Sequence, residues 1–126
     1  MDAADGGNLV NLTNNPNAHD GFYAPTWSPN GKQIAFTSTT LDFVGANREL
    51  YVMDAADGSN LTRLTFNEAN DTAPIWSYDG KSIAVTSYLS GNRELYVMDA
   101  ADGSNLTRLT YTTPDEEVIF DWTHGN

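Results

Sequence analysis

Short runs of apolar and β-branched residues, each bounded by turn formers, recur along the chain. Thr26-Trp27-Ser28 is followed by the turn Pro29-Asn30-Gly31-Lys32 and then by Gln33-Ile34-Ala35-Phe36-Thr37-Ser38. After a loop come Glu49-Leu50-Tyr51-Val52-Met53, the turn Asp54-Ala55-Ala56-Asp57-Gly58, and Leu61-Thr62-Arg63-Leu64-Thr65. Runs of this length, separated by Gly, Asn, Asp and Pro, read as four consecutive β-strands, and no segment has the period of an amphipathic helix. In the third run Leu50 and Val52 point to one face while Tyr51 and Met53 point to the other, so both faces are apolar. A sheet with one wet face would alternate apolar with polar; this pattern predicts a sheet covered on both sides.

Self-comparison extends the pattern to the whole chain. Met1–Thr13 reads MDAADGGNLVNLT, while Met53–Thr65 and Met98–Thr110 both read MDAADGSNLTRLT, a match that runs back to Asn47 and Asn92. Ala24–Ala35 (APTWSPNGKQIA) is likewise repeated as Ala73–Ala84 (APIWSYDGKSIA), with a fainter copy at Ile119-Phe120-Asp121-Trp122. The methionines are 52 and 45 residues apart, the period of a four-stranded propeller blade. Such close identity points to recent duplication or to a designed repeat.

These residues resemble the TolB-type WD40-like β-propeller repeat. The resemblance rests on Pro25, Trp27, Ser28, Pro29, Asn30, Gly31, Lys32, Ile34, Ala35, Phe36 and Ser38, then on Leu50 to Asp54, Asp57, Gly58, Asn60 and Arg63 to Thr65. It implies an all-β fold of four-stranded antiparallel blades, protein binding as the mode of action, and a bacterial periplasmic setting. The expected layout is one partial β-propeller over residues 1–126: a last strand of a preceding blade at 1–13, blades at 24–65 and 73–110, and a first strand of a further blade at 118–126. Two complete blades plus terminal strands cannot close a ring, and exposed blade faces and strand edges invite association. A homo-oligomer is therefore expected, and three copies of two blades would make the six-bladed ring that the resemblance implies.

Charge changes the range of partners. Seventeen acidic against six basic side chains give a net charge of −11, which disfavours nucleic acid and anionic membrane surfaces. The acids are dispersed, which reads as a solvated surface. There is no cysteine, and no apolar run long enough to span a bilayer. Met1-Asp2-Ala3-Ala4-Asp5-Gly6 lacks the basic and apolar regions of a signal peptide, so the compartment stays open.

Candidate chemistry is sparse. The turns Asp54–Asn60 and Asp99–Asn105 offer oxygens at positions 1, 4 and 7 rather than the EF-hand's 1, 3, 5 and 12, and they read as strand-to-strand turns; no metal or cofactor is expected. His19 and His124 stand apart from any nucleophile–base pair, and Glu116-Glu117 reads as solvated, so no catalytic residue is expected. Trp27, Trp76 and Trp122 recur at one repeat position and read as core. Loop length is more telling. Thr13 to Trp27 is 14 residues against 11 from Thr65 to Trp76, and Ser38 to Asn47 is 9 against 5 from Ser87 to Asn92. Both variable connections emerge at one end of the sheets, as a binding face would. Leu41-Asp42-Phe43-Val44 in the longer loop supplies either partner anchors or packing beneath the loop. The expected function is a non-enzymatic module that meets a protein or peptide through His19, Asp20, Phe22, Tyr23, Asp42, Phe43, Asn70, Asp71 and Tyr88. The alternatives are a detached propeller portion of a peptidase or lyase, and a designed or relic repeat protein whose only property is assembly.

Overall fold

Each turn signal in the sequence joins neighbouring strands of one antiparallel meander. The computed structural model describes residues 7, 9–13, 24–39 and 47–111. Among them β1 (Thr26–Trp27), β2 (Gln33–Thr39), β3 (Arg48–Asp54) and β4 (Thr62–Arg63) form one sheet in chain order. β5 (Asp71–Trp76), β6 (Ser82–Ser87), β7 (Glu94–Asp99) and β8 (Thr107–Arg108) form a second sheet of the same topology. The two sheets are the two expected blades. The second starts at Asp71, two residues ahead of its expected boundary, and a register shift between Thr72 and Ile75 marks a bulge where Ala73 takes φ 53°. The expected strand at 118–126 lies outside the described residues.

The turns follow from their residues. In the first sheet Ser28 Oγ donates to Asn30 Oδ1 at 2.7 Å, and Asn30 Oδ1 also accepts from Lys32 N at 2.9 Å. Ser77 and Asp79 repeat this arrangement with Lys81 in the second. The β3–β4 turn is closed by Asp57 Oδ1, which accepts from Ser59 N at 3.0 Å, and by Asp54 Oδ2, which accepts from Asn60 Nδ2 at 2.7 Å. Asn60 and Asn105 sit at φ 52° and 55°, a conformation that Asn tolerates better than most side chains.

Register determines which residues share a face. Ala35 pairs with Val52 and Thr37 with Leu50 on one face of the first sheet, while Ile34 pairs with Met53 and Phe36 with Tyr51 on the other. In the second sheet the corresponding pairs are Ala84 with Val97 and Thr86 with Leu95, then Ile83 with Met98 and Val85 with Tyr96. Each sheet therefore has a smaller-residue face and a larger-residue face. The central core joins the smaller face of the first sheet (Ala35, Leu50, Val52, with Leu64) to the larger face of the second (Ile83, Val85, Tyr96, Met98, with Trp76 and Ala100). The larger face of the first sheet forms a second cluster, Ile34, Phe36 and Met53, against which Leu12, Tyr51 and Ala55 pack; the Phe36 and Tyr51 rings stack 5.9 Å apart. Both faces of the first sheet are thus covered, the environment that Leu50-Tyr51-Val52-Met53 demanded.

The joint between sheets is also fixed by backbone. Trp76 Nε1 donates to the Thr26 carbonyl at 3.2 Å, tying the inner strand of one sheet to that of the next. At the outer side Gly103 lies so close to Leu64 that a Cβ on it would stand 2.1 Å from the Leu64 carbonyl oxygen. Gly58 meets Leu12 in the same way, at 2.5 Å. Leu12 therefore stands to the first sheet as Leu64 stands to the second.

This close approach makes a graded prediction. Gly103→Ala combines a left-handed φ of 74° with a backbone clash, whereas Gly91→Ala meets only a φ of 91° in open space. In urea titrations Gly91→Ala should lose about 1 kcal/mol and Gly103→Ala about 3 kcal/mol or more. Equal losses would show that the sheet joint does not depend on the glycine.

Candidate functional site

The meander places the β2–β3, β4–β5 and β6–β7 connections at one end of the sheets, the end singled out by its loop lengths. Of the nine expected contact residues, Asn70, Asp71 and Tyr88 are described; His19, Asp20, Phe22, Tyr23, Asp42 and Phe43 lie outside the described residues. The three described ones come together. Tyr88 N donates to the Asn70 carbonyl at 3.3 Å, and Asn70 Oδ1 accepts from Arg48 N at 2.8 Å, joining the β4–β5 connection to both sheets. Tyr88 presents its ring to solvent, 47 % exposed, and Leu89 beside it is 46 % exposed. Asp71 is buried instead, its Oδ2 accepting from Asn67 Nδ2 at 2.8 Å, so its carboxylate holds the loop from beneath.

Under these loops lies a polar network that charge patterning alone did not reveal. Glu49 and Glu94 are fully buried and Asp71 nearly so, in contrast to the solvated role expected of the acids. Glu49 enters the sheet end from β3 and collects three side-chain donors, one from the residues before β3 and two from β4 and its end. Asn47 Nδ2 donates to its Oε1 at 2.6 Å, Thr65 Oγ1 donates to its Oε2, and Arg63 Nη2 lies 3.4 Å from Oε1. The Thr65 hydroxyl can donate in that direction because its oxygen accepts from Leu50 N at 2.9 Å. Asn47 Nδ2 also lies within bonding distance of the Asn67 and Ala69 carbonyls, 2.5 and 2.8 Å away, and so ties the loop to the strand. The second sheet repeats the core of this arrangement. Thr110 Oγ1 donates to Glu94 Oε2, Arg108 Nη2 lies 3.2 Å from Oε1, and Leu95 N donates to Thr110 Oγ1 at 2.8 Å. Arg63 and Arg108 then cover the Phe66 and Tyr111 rings at 4.6 and 4.2 Å, and both rings are largely exposed. The available signal was the doubled text Asn-Arg-Glu-Leu-Tyr-Val, in which an acid directly precedes a run that is apolar on both faces.

Burial pushes the Glu49 carboxyl above its ordinary value of 4.5, the Thr65 hydroxyl bond opposes this, the Asp71 carboxylate adds to it, and Asn47 and Arg63 draw it back. At the opposite end, hydrogen bonds from Ser59 to Asp57, from Lys81 and Ser77 to Asp79, and from Ser104 to Asp102 lower those carboxyls. The turn carboxylates are thus engaged within their own turns. Among the described residues no group of three His, Cys, Asp or Glu is placed to hold a metal ion. No helix there is long and apolar enough to cross a membrane.

Two consequences can be measured. A carboxyl whose folded pKa is raised binds more protons folded than unfolded, so its contribution to stability falls as pH rises from about 4.5 through the folded value. Glu49→Gln should remove that downward slope. At neutral pH it should still lower stability by about 2 kcal/mol, because the new amide Nε2 would meet the donors of Thr65, Asn47 or Arg63 and leave one of them unsatisfied in the interior. Chemical denaturation across pH checks both; an unchanged pH profile in the variant would mean that Glu49 titrates alike in the folded and unfolded chain.

Comparison with known proteins agrees with this geometry. The TolB beta propeller domain family, PD40, matches residues 11–119. The chain superposes on TolB from Acinetobacter baumannii with a TM-score of 0.60 and 33 % identity, covering 72 % of this chain and 21 % of that one. A TolB-type structure from Agrobacterium tumefaciens gives a TM-score of 0.56 and 32 % identity over 68 % of this chain and 29 % of that one. The chain is also similar to the uncharacterized peptidase YuxL of Bacillus subtilis, 40 % identical over 62 residues, which are 49 % of this chain and 9 % of that protein. It therefore spans less than a third of each of these relatives. With a family match over most of its length, and two four-stranded sheets stacked as blades, the chain belongs to the TolB β-propeller family.

Proposed function

We propose that the chain is a non-catalytic recognition module that holds a protein or peptide segment at the end bearing the β4–β5 and β6–β7 loops. One observation carries the reading: at this end a buried Glu–Thr–Arg network anchors the loop bases, while aromatic and apolar side chains project from them. Asn47, Glu49 and Thr65 lock the first loop base, and Phe66, Tyr88 and Leu89 stand in solvent above the sheets. A rigid base lowers the entropy lost on binding, and exposed aromatic rings supply the anchor type enriched at binding hot spots. The net charge of −11 favours basic or neutral segments over acidic ones.

A second reading has a specific comparison behind it. The similarity to YuxL, over 9 % of that protein, supports a role as the propeller portion of a peptidase, where the same loop end would face substrate on its way to a separate catalytic domain. A peptidase domain encoded in frame with this chain would favour it.

A displayed random-peptide selection tests the first reading. Peptides recovered on the wild-type chain should bind Tyr88→Ala or Phe66→Ala at least about tenfold more weakly, a loss of roughly 1.4 kcal/mol, with melting temperatures unchanged. Peptides whose affinity falls only on Tyr78→Ala, at the opposite end of the sheets, would reject the assignment.

A further inference from the structure

The first turns of the two sheets are closed by the same bonds, but one carries an amide where the other carries an acid. Ser28-Pro29-Asn30-Gly31-Lys32 in the first sheet stands where Ser77-Tyr78-Asp79-Gly80-Lys81 stands in the second. Gly31 N donates to the Ser28 carbonyl at 2.9 Å and Gly80 N to the Ser77 carbonyl at 3.0 Å, while Gln33 N and Ser82 N each donate to the serine Oγ at 3.0 Å. Asn30 Oδ1 accepts from Ser28 Oγ at 2.7 Å and from Lys32 N at 2.9 Å; Asp79 Oδ1 accepts from Ser77 Oγ and Lys81 N at 2.7 and 3.0 Å. The glycines match as well, at φ 72° and 73°. Among the described residues the Asn30 side chain is engaged through its oxygen alone, and nothing there holds Nδ2. Asn30 is also the one asparagine of the chain that glycine follows, and both residues are exposed.

We propose that Asn30 is a site of spontaneous deamidation, and that the turn, which already fits an aspartate in the second sheet, retains the aspartate that forms. The Gly31 amide nitrogen, unhindered because its residue has no Cβ, attacks Asn30 Cγ. An N–Cγ bond forms, the Cγ–Nδ2 bond breaks, and ammonia leaves with the proton that Gly31 N gives up. Water then opens the cyclic imide. Breaking the N–Cγ bond gives aspartate; breaking the bond from that nitrogen to the backbone carbonyl carbon of residue 30 gives isoaspartate, with one extra carbon in the main chain. The closed turn holds the attacking nitrogen on the Ser28 carbonyl, so it has to open before the imide forms. On reclosing, the two products part. Aspartate restores every bond seen at Asp79, and its charge strengthens those from Ser28 Oγ and Lys32 N. In the second sheet the Lys81 amide, the Ser77 hydroxyl and the Lys81 charge lower the Asp79 carboxyl, and Lys32 and Ser28 stand ready to do the same. Isoaspartate, one carbon too long, does not close the span from Ser28 to Gly31, and it returns through the imide until the turn draws it off as aspartate. The fold is thus a template for one of the two products.

Incubation of the folded full chain in mildly alkaline heavy-oxygen water, followed by peptide mass spectrometry with electron-transfer fragmentation, tests this. The peptide bearing Asn30 should show one amide-to-acid exchange with one heavy oxygen taken up. Those bearing Asn60 and Asn105, each followed by leucine, should stay unchanged over the same time. The ratio of aspartate to isoaspartate at position 30 should be at least about fivefold higher than in the same chain unfolded in urea, the factor that one turn hydrogen bond supplies. Asn30→Asp should unfold at the same urea concentration as the wild type or at a higher one. An Asn30 that stays intact in the folded chain would overturn the proposal, as would equal product ratios in the two conditions or an Asn30→Asp chain less stable than the wild type. The turn lies at the end opposite Tyr88, so each of these outcomes leaves the peptide-binding reading unaffected.

Discussion

The fold depends on asymmetry between the two faces of each sheet. One face carries Ala, Thr, Leu and Val; the other carries Ile, Tyr and Met with Phe or Val. Close packing requires facing layers to interdigitate, and a larger face against a smaller one achieves this without voids or overpacking. Two larger faces would hold the backbones apart. The glycines at 58 and 103 show how close that approach is on the outer side, because any side chain there would strike the backbone of the neighbouring segment. The indole bond from Trp76 to Thr26 fixes the inner side. Held at both edges, a sheet has one position along its neighbour and one direction of stacking.

This arrangement accounts for what was legible in the sequence. The fold could be read because its two causes are both local in text: turn residues at fixed offsets, and apolar groups on both faces of Leu50-Tyr51-Val52-Met53. The repeat then supplied the topology, since a unit copied at blade spacing has to pack on itself. The bulge at Ala73 was not legible, because no Gly or Asn stands at its positive φ to signal it.

The loop end was read less well, for a physical reason. Charge counts average over surface and interior, and a chain with seventeen acids makes every acid look solvated. Glu49 and Glu94 are exceptions that only partners can identify: a hydroxyl oriented by a backbone amide, an arginine, and in the first sheet an asparagine shared with the next loop. The connections that differ in length do share one end, and Asn70 and Tyr88 meet there. Asp71, expected beside them as a contact, faces inward because the start of β5 is already under the network.

The network and the sheet asymmetry divide the work between the two ends of the molecule. At one end buried carboxylates hold connections whose lengths differ between repeats, so the loops can change while their base stays fixed. At the other, uniform turns of Asp, Asn and Gly close on themselves and carry the blade-to-blade seat. Separating the variable loops from the stacking turns in this way lets loop length vary while the stacking elements stay uniform. The Tyr88 loop meets the first sheet by way of Asn70, while the joint at Trp76, Gly103 and Leu64 is formed by other residues. Duplication of a whole unit is tolerated for the same reason: each copy brings its own network, its own turns and a pair of faces that already fit the unit before it.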